Sequence, residues 1–95
     1  MLKNITITEL LKLKEPYIID IRSQEKYNDN HIPDAHNIVA NDLLLYPDKY
    51  LDKDKVYYLY CQKGINSKKI CQILNNKGYN LINVFGGYEA YILNN

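Results

Sequence analysis

Tryptophan is missing from this chain, phenylalanine occurs once and cysteine twice, and there are only four glycines and three prolines in 95 residues. No low-complexity tract is visible. Two cysteines are too few for a disulfide scaffold, so the thiols are expected to stay reduced, as in a cytosol. No window approaches the ~20 apolar residues that a membrane helix needs. The first residues, MLKNITITELLKLKEP, lack the long apolar core of a secretory signal, and a cytoplasmic location is expected. Charge of one sign is also lacking: 12 basic residues face 11 acidic ones, a net charge of +1. That balance gives no support to a nucleic-acid or acidic-lipid partner, either of which calls for a concentrated positive field. There is no repeat and no linker, and the length allows one domain, residues 1–95.

What remains is an ordinary globular composition, 46% hydrophobic and 24% charged, with ten tyrosines standing in for the missing aromatics in the core and at its rim. Ile5-Thr6-Ile7 alternates as a short edge strand, and Thr8 fits the N-cap of a helix ended by Pro16. Tyr17 to Ile21 is the continuous apolar run of a strand buried on both faces. Ser23 caps a short helix through Tyr27. Ile32 to Ala35 is a turn and Asn37-Ile38-Val39 a strand. A helix opening at Asn41-Asp42 stops near Pro47. Val56-Tyr57-Tyr58-Leu59-Tyr60 is the strongest strand signal and runs directly into Cys61. A loop from Gln62 to Asn66 leads to a helix over residues 67–77, closed by Gly78. Leu81 to Val84 is a last strand, and Gly86-Gly87 turns into a terminal helix. Strands alternating with helices predict an α/β fold, a central parallel sheet with helices on both faces. In such sheets the site lies at the carboxyl ends of the strands, where Cys61 falls.

A thiol between a buried strand and a helix start is set for ionisation. Successive N–H groups of a compact loop form an anion nest, the following helix adds its positive end, and Lys63 adds a full charge. A thiolate so held is a nucleophile, and the same nest accepts an incoming oxyanion. The bland alternative is a small apolar residue that merely ends a strand. Cys71, beside Ile70 and Leu74 on an apolar helix face, reads as core packing, with a resolving thiol for Cys61 as the alternative. Asp20 and Arg22 are either a site pair or a brace between loops. His31 and His36 have no partners at metal-ligand spacing, so no metal is expected.

Two blocks then resemble the rhodanese (sulfurtransferase) family, over about Ile5 to Tyr91. The first is Tyr17-Ile18-Ile19-Asp20-Ile21-Arg22-Ser23, followed by Glu25, Tyr27 and His31-Ile32-Pro33-Asp34-Ala35. The second is Tyr58-Leu59-Tyr60-Cys61-x-x-Gly64-x-x-Ser67, then Gly78-Tyr79, then Val84-x-Gly86-Gly87. The resemblance implies a rhodanese-like three-layer fold and a catalytic Cys61 that carries sulfur as a persulfide. The cradle would be the backbone amides of Gln62, Lys63, Gly64, Ile65, Asn66 and Ser67. Lys63 matches a cation of thiosulfate-using members, and Lys26 matches a cation before the tyrosine of the first block. The implied substrates are a small sulfur-containing anion such as thiosulfate and a thiol acceptor, cyanide in the assay, with a sulfur-carrier protein as a further partner. No metal or organic cofactor is implied. Three residues depart from the family pattern: Asn66 where many members have Arg, Asp34 for Gly, and Tyr91 where a Trp commonly stands. A persulfide carrier and a non-catalytic rhodanese-like interaction module remain as alternatives. A phosphatase of the Cys-x5-Arg type fails, because Ser67 occupies the position of its Arg and no Arg follows Arg22.

Overall fold

Val56–Tyr60 forms the strand that its β-branched and aromatic run dictates, and its side chains alternate between the two faces of a sheet. Tyr57 and Leu59 enter one core, Tyr60 the other. The computed structural model describes residues 3–94. In chain order it contains β1 (Asn4–Ile5), α1 (Ile7–Leu11), β2 (Ile18–Asp20), α2 (Gln24–Asp29), β3 (His36–Asn37), α3 (Ala40–Leu45), α4 (Pro47–Tyr50), β4 (Val56–Tyr60), α5 (Ile65–Asn75), β5 (Asn80–Val84) and α6 (Gly87–Leu93). The sheet order is β1-β5-β4-β2-β3, with parallel pairing at every step. One core cluster joins Ile19, Leu59 and Leu81 to Leu43 of α3 and Ile70, Cys71 and Leu74 of α5. The other joins Ile18, Tyr60 and Val84 to Ile7 and Leu10 of α1 and Tyr88 of α6. The three-layer α/β architecture expected from the sequence is therefore the one observed. β4 and β2 lie inside the sheet, and their carboxyl ends are covered from both sides.

Several boundaries differ from the sequence reading, among them β3, which is His36–Asn37 and not residues 37–39, and four of the differences have a clear local reason. The cap of α1 is Thr6, not Thr8. Thr6 Oγ1 accepts the Glu9 N–H at 3.1 Å, and Glu9 Oε1 accepts the Thr6 N–H at 2.9 Å. This reciprocal capping box needs Glu three residues after the cap, which only Thr6 has. The first strand is accordingly Asn4–Ile5, not residues 5–7. Pro47 stops α3 and also opens α4, where its fixed φ suits the first helical turn. The helix after Cys61 begins at Ile65, two residues earlier than expected, because Gly64 takes a left-handed conformation (φ 86°) and completes the reversal by itself.

Candidate active site

Cys61 directly follows β4, 6% exposed. The chain then folds back so tightly that its N–H groups face the sulfur. Gly64 N lies 3.1 Å from Cys61 Sγ and Ser67 N 3.3 Å, and the Lys63 N–H also acts on it. Ser67 Oγ stands 3.4 Å from the same sulfur. The loop's carbonyls point the other way and are claimed by α6: Tyr88 N donates to Cys61 O at 2.9 Å, and Glu89 N to Gln62 O at 3.0 Å. With the carbonyls tied down, the donors are left converging on Sγ.

This geometry needs backbone against backbone. A Cβ on Gly64 would stand 2.8 Å from Gly86 N, and one on Gly87 (φ 60°) would stand 2.8 Å from Gly64 N and collide with the Cys61 carbonyl. Any side chain at either place would prise the loop from the Gly86-Gly87 turn.

The electrostatics follow. Burial pushes the Cys61 thiol up, but its hydrogen bond with the Ser67 side chain and those from the Ser67, Gly64 and Lys63 amides outweigh it, and the group ionises below its ordinary value. Cys71 has burial and the neighbouring charge of Cys61 against it and is pushed up to about 12. Both cysteines are unbridged.

Asp20 and Arg22 reach the loop without touching the sulfur. Arg22 Nη2 donates to Asp20 Oδ2 at 2.8 Å and to Asn30 O at 2.6 Å, and its Nη1 to Gln62 Oε1 at 3.4 Å. The guanidinium lies 4.0 Å from the centre of the Tyr88 ring. Asp20, fully buried, also accepts Tyr60 Oη at 2.6 Å. Burial lowers the Arg22 pKa, and the bond and charge of Asp20 more than restore it. The pair thus works as a brace among β2, the end of α2, α6 and the loop.

Of the residues singled out in the sequence, the structure gathers Cys61, Gly64, Ser67 and the Lys63 backbone at one point. The Gln62 side chain faces Arg22. Ile65 and Asn66, expected in the loop, lie exposed in the first turn of α5. Lys63 is also exposed. Lys26 is exposed on α2, and among the described residues no hydrogen bond or ion pair joins its side chain to the loop. Two residues were missed. Tyr88 floors the brace, and Asn83 bonds Ser67 Oγ at 2.5 Å. An Asn between Ile82 and Val84 in a buried strand was the available signal, since buried polar side chains are uncommon and partnered.

The histidines have other employment. His31 bonds Tyr27 O and stacks on its ring, and His36 stacks on Tyr17. Among the described residues no group of three or more His, Cys, Asp or Glu side chains is placed to hold a metal ion. Nor is any described helix long and apolar enough to cross a membrane.

The chain is similar to known proteins. The Rhodanese-like domain family matches residues 6–94. YtwF of Bacillus subtilis (strain 168) is 38% identical over 80 residues, 82% of this chain and 75% of its own. Thiosulfate sulfurtransferase GlpE of Coxiella burnetii is 33% identical over 84 residues, 87% of this chain and 78% of its own. Among solved structures, a rhodanese-like domain protein from Staphylococcus aureus superposes with a TM-score of 0.82 at 32% identity, covering 95% of this chain and 91% of that one.

Proposed function

This chain belongs to the rhodanese-like domain family, and from that premise we propose that it is a sulfurtransferase that moves a sulfane sulfur from a donor such as thiosulfate to a thiol or cyanide through a persulfide on Cys61. The observation that carries the reading is the convergence of the Lys63, Gly64 and Ser67 amides on the sulfur of an intact cysteine. The thiolate attacks the outer sulfur of thiosulfate. A new sulfur–sulfur bond forms on Sγ, the old one breaks, and sulfite leaves with its electron pair. An acceptor thiolate then attacks the outer sulfur of the persulfide and returns Cys61 as thiolate. No net electron transfer to another group is required. The same amides that hold the thiolate stabilise the charge that returns in the second step. A compartment that keeps both thiols reduced, such as the cytoplasm, suits this cycle.

Lys63 and Lys26 are two cations that could meet an approaching dianion, and both are exposed, so their effect is screened by salt. Asn66 leaves the first turn of α5 without a guanidinium. That favours a second reading, a persulfide carrier with little thiosulfate turnover. Sulfite release from thiosulfate in the presence of cyanide separates the two. The parent turns over, Cys61→Ser is silent, Lys63→Ala loses roughly tenfold in kcat/KM at low ionic strength, and Asn66→Arg gains. A parent that accepts sulfur from polysulfide but not from thiosulfate is the carrier.

A further inference from the structure

The Ser67 hydroxyl has one proton and two neighbours that can take it. In the structure it donates to Asn83 Oδ1 at 2.5 Å, and the Cys61 thiol donates to Ser67 Oγ at 3.4 Å. This sequence of donors suits a neutral thiol. A thiolate offers Ser67 only lone pairs and needs the proton that Asn83 holds. If Ser67 alone turned to the sulfur, Asn83 Oδ1 would lose its donor in a residue only 1% exposed, which buried amides avoid.

An asparagine resolves the conflict because one amide carries both a donor and an acceptor. Asn83 Nδ2 now donates to Asn4 Oδ1 at 3.0 Å and to Gly64 O at 3.4 Å. A half-turn of the amide places Nδ2 on Ser67 Oγ and frees the hydroxyl proton for the sulfur. Oδ1 then faces Asn4, whose exposed side chain on β1 is able to turn and present its own Nδ2. The contact given up is the longest of the three, to Gly64 O.

We propose that Asn83 is a positioning residue for Cys61: its amide turns over when the thiol ionises and so directs the Ser67 hydroxyl proton onto the thiolate. No proton passes between Ser67 and Asn83; the thiol proton goes to solvent and the two side chains rotate. The other charged or titratable groups on the elements around the loop are Tyr60 of β4, Lys68, Lys69 and Cys71 on α5, the paired Asp20 and Arg22 at the end of β2, Lys63, Lys3 before β1, and Tyr88 and Glu89 of α6. Among the described residues none of their side chains is bonded to Ser67 Oγ or to the Asn83 side-chain amide. The inference rests on Cys61 being the reacting thiol, but its readout is ionisation, so failure of sulfur transfer and failure of the relay are distinguishable.

The test has two arms. In nitrogen-15-labelled parent protein the side-chain NH2 signals of Asn83 should shift with pH at the midpoint of Cys61 alkylation, and this step should vanish in Cys61→Ser and in Ser67→Ala. In the second arm, Asn83→Asp supplies an ionised acceptor that cannot reverse, so alkylation of Cys61 at neutral pH should slow by roughly tenfold, one pKa unit. In a Ser67→Ala background the same substitution should slow it only about twofold, the remainder being through-space charge. Asn83 signals that stay flat across the Cys61 titration overturn the proposal. So does an equal effect of Asn83→Asp with and without the Ser67 hydroxyl. If Asn83→Asp does not fold, the signals of the parent protein decide alone.

Discussion

At the scale of single residues, Cys61 and Cys71 share one core cluster yet ionise in opposite directions. Burial opposes both thiolates, but Cys61 has three amides turned towards it and the Ser67 hydroxyl bonded beside them, whereas Cys71 has the charge of Cys61 beside it and rises to about 12. Alkylation follows the thiolate fraction. Iodoacetamide near neutral pH should therefore label Cys61 well before Cys71 in the folded protein, as read by peptide mapping. The Cys61 rate should fall as pH drops through its lowered value, and the selectivity should narrow as pH climbs towards that of Cys71. The signs for stability follow. Cys61, more acidic folded than unfolded, contributes stability that is present above the unfolded thiol value and lost as pH falls through the folded one. Cys71 does the reverse, withdrawing stability as pH rises from the unfolded thiol value towards about 12. Equal labelling of the two thiols near neutral pH would contradict the assignment of the site.

The elements explain why the loop holds its shape. β4 delivers Cys61, α5 returns the chain over it, and the Gly86-Gly87 turn presses on its back. Gly87→Ala forces a Cβ into the Cys61 carbonyl at a positive φ, so it should lower stability by about 1–3 kcal/mol and slow Cys61 alkylation by loosening the cradle. A melting curve and the alkylation rate read the two effects, and an unchanged alkylation rate would mean that the turn does not shape the cradle. Much of this was legible in the sequence. β4 was plain from Val56 to Tyr60, Ser23 from its capping position, and Cys61 from falling where a buried strand ends. The parts that were not legible depend on choices a linear pattern leaves open. Thr6 and Thr8 both precede an apolar stretch, and the reach to Glu9 decides between them. The start of α5 hangs on the left-handed turn at Gly64. Asn83 acquires its place only once β5 lies beside β4 and brings Ser67 within reach.

At the scale of the whole molecule, two cores on opposite faces of one sheet meet at its carboxyl edge, and the Asp20–Arg22 pair ties them there. Its bonds run from β2 to Tyr60, to the end of α2, to Gln62 and to the face of Tyr88. Removing one charge leaves the other buried. Arg22→Met should cost about 3–5 kcal/mol in denaturant unfolding, a large share of the ~5–15 kcal/mol that a domain has; a loss below about 1 kcal/mol would reduce the pair to a solvated surface contact. The cradle this frame supports is the centre of the account, and the direct test is intact-mass and peptide mass spectrometry of the folded protein after thiosulfate treatment without acceptor. The account predicts a gain of one sulfur atom, located on Cys61, absent in Cys61→Ser and discharged by cyanide. A gain located on Cys71, or a gain that persists in Cys61→Ser, would contradict it.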